Sequence, residues 1–231
     1  MFYTSFIIFI IYSFFGWLME VTLTFIKEKK FVNRGFLIGP CCPIYGCGCL
    51  LLISLLGKFK DNIIILLILT ILICSILEYF TSWILEKIFK LRWWDYSNQK
   101  FNINGRICLE TMTPFTIIGV VVVKYVNPKL LFLIKKRPNN IIIILAIILF
   151  TLFILDLIIS CNIINNVKFI AENTKKDSTE DIKKAVFKFI HNNLYAYKRI
   201  FKAFPDITKI IKEKTMQTRE FISKHTKRKS K

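Results

Sequence analysis

Ile63-Ile64-Ile65-Leu66-Leu67-Ile68-Leu69-Thr70-Ile71-Leu72-Ile73-Cys74-Ser75-Ile76-Leu77 is an unbroken apolar run. With its flanks, residues 62–89, it can span a hydrocarbon core about 30 Å thick at about 1.5 Å rise per residue. A second such run occupies 141–155, and further apolar segments cover 3–26, 36–56 and 107–126. The composition agrees: 54% hydrophobic residues and a mean hydropathy of +0.50 are too apolar for an ordinary soluble protein. The expected fold class is therefore an all-α polytopic transmembrane helix bundle, occupying residues 1–166, followed by a basic tail at 167–231. The first segment has neither a positive n-region nor a small-residue cleavage site, so it reads as a retained helix.

The pieces between the segments carry the charge. The net charge is +19, which in a soluble protein would raise the question of nucleic acid. Here the lysines and arginines lie in loops and tail, which fits retention on the cytoplasmic side and anionic lipid headgroups, and no nucleic acid is expected. Lys27, Lys29, Lys30 and Arg34 in the first loop, Lys90, Arg92, Lys100 and Arg106 in the third, and the tail all point inside. Five spans then put the N-terminus outside. The fourth loop, 127–140, opposes this with Lys129, Lys135, Lys136 and Arg137; either it is tolerated outside, or residues 129–134 dip back into the bilayer and the spans number six. In the tail, apolar residues between Ile182 and Phe204 recur at near-helical spacing before Pro205, the pattern of a basic amphipathic helix on a membrane surface or a partner.

Charge inside the spans is the first functional signal. Glu20, Glu78 and Asp156 fall within apolar segments, where an ionised carboxylate costs roughly 2.5–3.5 kcal/mol on insertion scales. They should face protein or a watery cavity, meet a cation, or be protonated. Thr70, Cys74, Glu78, Ser82 and Glu86 are spaced four apart, and Ser13, Gly16, Glu20 and Thr24 share a side of the first helix. Such stripes suit either helix-packing glue or a substrate or ion pathway.

The second signal is Asn33-Arg34-Gly35-Phe36-Leu37-Ile38-Gly39-Pro40-Cys41-Cys42-Pro43-Ile44-Tyr45-Gly46. Pro40 and Pro43 lack amide donors and bias the preceding residues away from helix, so regular helix should start near Pro43. From there to Leu56 is about 14 residues, roughly 21 Å, too short to cross alone. Residues 35–42 should complete the crossing as non-helical backbone, which at membrane depth must be covered by protein or line a cavity. The alternative is a loop ending in a proline-initiated helix at the interface.

Third, Arg92-Trp93-Trp94-Asp95-Tyr96 precedes Phe101-Asn102-Ile103-Asn104-Gly105-Arg106. Trp93, Trp94 and Tyr96 suit an aromatic belt. Asp95, Asn102, Asn104 and Arg106 form a polar loop on the same predicted face as Arg34, where a salt-bridged cluster with Glu110 could form. Cys41, Cys42, Cys47 and Cys49 match no zinc spacing and suit small packing residues. No phosphate-cradling glycine loop, nucleophile elbow or HExxH motif occurs, so the chain carries no recognisable ATPase or hydrolase site, and neither a cofactor nor a metal is expected.

These pieces resemble a bacterial family of multispanning proteins described as putative ABC-transporter permeases, type IV, also called CmpB-like. The resemblance rests on Gly16-Trp17 with Glu20, Asn33-Arg34-Gly35, Gly39-Pro40, Pro43-Ile44-Tyr45-Gly46, Glu78-Tyr79 with Glu86, Trp93-Trp94-Asp95-Tyr96, and Phe101-Asn102 with Asn104-Gly105-Arg106. It covers residues 2–157 and leaves out the tail. It implies a multi-pass subunit of the bacterial plasma membrane working with a separate nucleotide-binding ATPase. The leading expectation is a permease in which Glu20, Glu78 and the broken second segment line a polar path, with a cytoplasmic tail and room for a homo-oligomer. Two others stand beside it: an enzyme gathering a lipid-linked substrate at Arg34, Asp95, Arg106 and Glu110, and a scaffold or sensor acting through the tail.

Overall fold

The computed structural model describes residues 2–33, 35–89 and 92–173, with side chains described up to 165. Arg34 and the predicted amphipathic helix of the tail lie outside the described residues. The chain is a bundle of α-helices: α1 (Phe2–Glu28), α2 (Pro43–Leu56), α3 (Ile63–Phe89), α4 (Leu109–Val121), α5 (Asn127–Lys135) and α6 (Asn139–Asn173). Two-residue strands β1 (Asn102–Ile103) and β2 (Ile107–Cys108) form a small antiparallel hairpin between α3 and α4. Four stretches are long and apolar enough to cross a membrane: Phe2–Glu28, Ile63–Phe89, Leu109–Lys135 and Asn139–Asn165. The apolar helix Pro43–Phe59 is shorter.

The fourth crossing differs from the expected one. Asn127-Pro128 reads as a loop start, yet α4 continues through a π-helical turn, Val122–Val126, into α5. Pro128 cannot donate an amide, and its ring would press on the carbonyl of Lys124 in a regular helix. The wider turn absorbs this, with the Asn127 amide donating to Val122 O. Residues 129–134 therefore extend the helix instead of dipping back, and the fourth loop shrinks from 127–140 to the short link 136–138.

Ring contacts fix the helix directions. Phe6 meets Phe150 at 5.3 Å and Phe9 meets Phe153 at 5.4 Å, so α1 and α6 run parallel. The parallel course of α1 and α6 agrees with the five-span arrangement, in which α2 and its connection make the second crossing. Phe36 packs on Phe89 and Trp93, each at 5.6 Å, which puts the first and third connections at one end of the bundle.

Small residues bring the helices close. The faces of Gly16 and Gly46 admit the Tyr45 ring and the Ser13 hydroxyl, locking α1 against α2 in antiparallel register. A side chain at Gly119 would lie 2.8 Å from Thr70 Cγ2 and 2.9 Å from Leu52 Cδ1. That small-residue crossing lies beside a core of Leu52, Leu56, Leu66, Val120 and Val123. The outward faces of α3 and α6, such as Ile64, Ile68, Ile144 and Leu152, are exposed apolar surface suited to lipid.

Candidate functional site

α1 stops at Lys29, which takes a left-handed conformation (φ 54°) and caps the helix through its amide to Phe25 O at 2.9 Å. The chain then turns back along the bundle without helix. Asn33 organises the turn: its Oδ1 accepts from Trp17 Nε1 at 2.9 Å and from the Gly35 amide at 3.0 Å, while its Nδ2 donates to Ile38 O at 2.9 Å. The next amides reach α6, where Ile38 N donates to Asp156 Oδ1 at 3.0 Å and Gly39 N to Asp156 Oδ2 at 2.9 Å. Ser160 Oγ steadies the same carboxylate at 3.1 Å. A Cβ on Gly39 would stand 2.8 Å from Asp156 Oδ2, so only glycine lets the backbone approach this closely.

Leu37, fully buried, anchors the segment, and Cys42 N donates to Ser13 O at 3.0 Å. Ser13 is near the middle of α1, so helix resumes at Pro43 about halfway through the bundle, and α2 covers the remaining distance. The segment has the form that its two prolines predict, non-helical backbone followed by a helix that starts at Pro43. The amides of Ile38, Gly39, Cys41 and Cys42 are all met by protein, as a non-aqueous setting requires. Pro40 is exposed on the outer side of the segment.

From the first turn of α2, Tyr45 Oη donates to Glu20 Oε1, one turn beyond Gly16, and the Tyr45 ring meets Phe115 of α4 edge-on at 5.7 Å. On α3, Glu78 is buried, and the third connection brings the Tyr96 phenol within reach of its charge. Burial, and then the charges of Glu78 and Glu20, push the Tyr96 hydroxyl well above the usual tyrosine range, so it stays a donor. Glu78 Oε2 has no hydrogen-bond partner among the described residues.

The hairpin connection that delivers Tyr96 is tightly knit. Arg106 reaches from the turn to α3, with Nη2 2.7 Å from Glu86 Oε2 and Nη1 donating to Ser82 Oγ at 3.2 Å. Arg92 bridges Glu86 and Asp95, each at 3.2 Å. Asp95 is held below the usual carboxylate range by the Ser97 hydroxyl, then by the Ser97 amide and Arg92. Asn102 Oδ1 accepts the Gly105 amide at 3.0 Å, Asn104 Nδ2 donates to the Tyr79 hydroxyl at 2.9 Å, and Trp94 Nε1 donates to Arg106 O at 2.9 Å. The Tyr96 amide closes the fold on Gly105 O at 2.8 Å.

Gly105 has φ +67°, and a Cβ there would run into the Ser97 hydroxyl and Asp95 Oδ1. Gly105→Ala is expected to cost of order 1–3 kcal/mol through strain and overlap, seen as a lower thermal midpoint of the detergent-solubilised chain. An unchanged midpoint would show that the hairpin contributes nothing to stability.

Of the residues singled out from sequence, Glu20 and Tyr45 meet between α1 and α2, and Glu78 is buried on α3. Asn33, Gly39 and Pro43 shape the broken crossing, and Asp95, Asn102, Asn104 and Arg106 build the hairpin. Glu110 does not join them: it is exposed in the first turn of α4, where it suits the helix N-terminus, and Arg106 pairs with Glu86 instead. Two contributors were hidden in the sequence. Tyr96 reads as one more ring of an interfacial belt, and Asp156 shows as a charge within a span without any sign of what it holds.

No curated protein and no solved structure is similar to this chain at a significant level. A family model does match, over residues 7–161, the stretch that holds every element of the site. The chain belongs to the membrane-protein family described as "Putative ABC-transporter type IV".

Proposed function

We propose that the chain is the permease-like membrane subunit of an ABC-type transporter, with ATP hydrolysed by a separate ATPase chain. The observation that carries this reading is a second apolar segment whose first half is unwound, with Glu20 held by Tyr45 at the start of its helix and a buried Glu78 on α3. Unwound segments at mid-membrane free backbone and side-chain groups for a substrate, and broken helices build the sites of many transporters. Family membership and the lack of any nucleotide-binding motif in the sequence point the same way. In this reading the protein sits in the bacterial plasma membrane with its basic tail in the cytoplasm, against anionic headgroups. The ATPase docks at the end formed by the first and third connections.

The enzyme reading draws less support, because Arg106 is paired with Glu86, Asp95 with Arg92, and Glu110 stands apart in the first turn of α4.

Purification in mild detergent is expected to bring an ATPase with the chain. Glu20→Gln with Glu78→Gln should keep that partner while lowering transport in reconstituted vesicles by roughly tenfold or more, the loss of about 1.4 kcal/mol or more of binding. Isolation without an ATPase, together with undiminished transport by the double variant, would overturn the proposal.

A further inference from the structure

A cleft of about 550 Å3 opens between the third connection and the start of α4. Residues 98–101 form one wall, and Leu109, Glu110 and Thr113 form the other. The turn behind the first wall is locked from within, since Asn102 Nδ2 donates to Gln99 O at 2.8 Å. It holds Phe101 in a left-handed conformation (φ 53°), which is uncommon for a bulky residue. The ring is left 80% exposed, the most open large apolar side chain among the described residues.

The cleft carries one charge of each sign. Lys100 and Glu110 both line it, and neither side chain forms an ion pair or hydrogen bond among the described residues. A purely anionic ligand would meet Glu110 and a purely cationic one Lys100, so the complementary partner bears both charges. The rest of that partner follows from α4. Leu109, Thr113, Ile117 and Val121 recur every four residues, share one side of the helix and are all exposed. They belong to a stretch long and apolar enough to cross a membrane, and the cleft lies at its beginning. A charged cleft that continues as an apolar stripe along a membrane-spanning helix matches a lipid, with the headgroup in the first and an acyl chain along the second.

We propose that this cleft binds one zwitterionic phospholipid, its phosphate against Lys100, its ammonium against Glu110, and an acyl chain along Leu109, Thr113, Ile117 and Val121. The site goes beyond the permease reading and does not depend on it.

The test uses the full-length chain purified in detergent, with dioleoyl phosphatidylethanolamine as the probe and native mass spectrometry as the readout of bound lipid. One lipid per chain is expected to bind ahead of any others. Lys100, Glu110 and Thr113 are all exposed, so substitutions there are compatible with folding, which size-exclusion chromatography checks. Lys100→Gln and Glu110→Gln should each weaken the first binding about threefold, the size expected for a partly exposed charge pair. Thr113→Trp blocks the stripe without changing charge and should weaken it at least as much. Dioleoyl phosphatidylglycerol lacks the ammonium, so Glu110→Gln should leave its binding unchanged or tighten it. Undiminished phosphatidylethanolamine binding by any folded variant, or weaker phosphatidylglycerol binding by Glu110→Gln, would overturn the inference. Should one variant misfold, the other two decide. Displacement of the lipid by an equal concentration of glycerophosphoethanolamine, which has the headgroup without acyl chains, would also overturn it and assign the cleft to a soluble ligand.

Discussion

Asp156→Ala is expected to remove about 1–3 kcal/mol of stability. Its two oxygens accept the amides of Ile38 and Gly39 at 3.0 and 2.9 Å, and Ser160 adds a third bond. Without the carboxylate, the Gly39 amide loses its acceptor, while the Ile38 amide keeps Ser160 Oγ at 3.1 Å. An unsatisfied buried amide costs about 1–3 kcal/mol, which sets the range. Asp156→Asn keeps one acceptor but turns an NH2 toward the second amide, so it should fall between wild type and alanine. Unfolding of the detergent-solubilised chain checks the order, with trypsin cleavage near Lys29 and Lys30 as a local readout. A change below roughly 0.5 kcal/mol for alanine, the size of an ordinary surface substitution, would mean that the segment does not depend on this carboxylate.

Gly46→Val should be nearly as damaging, for a steric reason. A Cβ at Gly46 would lie 2.5 Å from the Phe9 carbonyl oxygen and also overlap the Ser13 hydroxyl and the Phe9 ring. A carbonyl oxygen in the middle of α1 cannot swing aside, so α1 and α2 must separate, and overpacking of this kind costs about 1–3 kcal/mol or more. Separation would also lengthen the reach from Tyr45 to Glu20 and so weaken their hydrogen bond. Gly57→Ala is the matching control. Nothing lies within 4 Å of its Cβ position and its backbone is right-handed helical (φ −54°), so alanine should be neutral or stabilise by up to about 1 kcal/mol. Equal midpoints for the two variants would remove the close approach of α1 and α2 as a source of stability.

Much of this architecture is legible in the residues themselves. Apolar runs mark the long crossings because lipid demands a fixed length of apolar helix, and Pro40 and Pro43 mark the broken one because proline forbids helix just before it. The inward setting of Glu78 is also foreshadowed, since it lies on a stripe of small and hydroxyl residues, and Thr70, Glu78 and Ser82 of that stripe are buried. What the residues conceal depends on distance along the chain or on local geometry. Asn127-Pro128 looks like a break, and only the π-helical turn at Val122–Val126 reveals how the helix passes it. Asp156 meets its partners across 117 and 118 positions, a separation that no short-range pattern reports. Tyr96 is disguised by neighbouring tryptophans, which themselves turn out to brace Phe36 and Arg106.

The tie between Ile38, Gly39 and Asp156 also has a bearing on biogenesis. Synthesis proceeds from the N-terminus, so the interrupted second crossing emerges well before the last helix that receives its amides. Until α6 enters the membrane, that stretch lacks its permanent acceptor and must be held by water, by the insertion machinery or near the bilayer surface. The earliest irregular part of the described bundle is thus completed by the last of its described helices, which makes maturation of the bundle a closing step rather than a simple addition of helices in order.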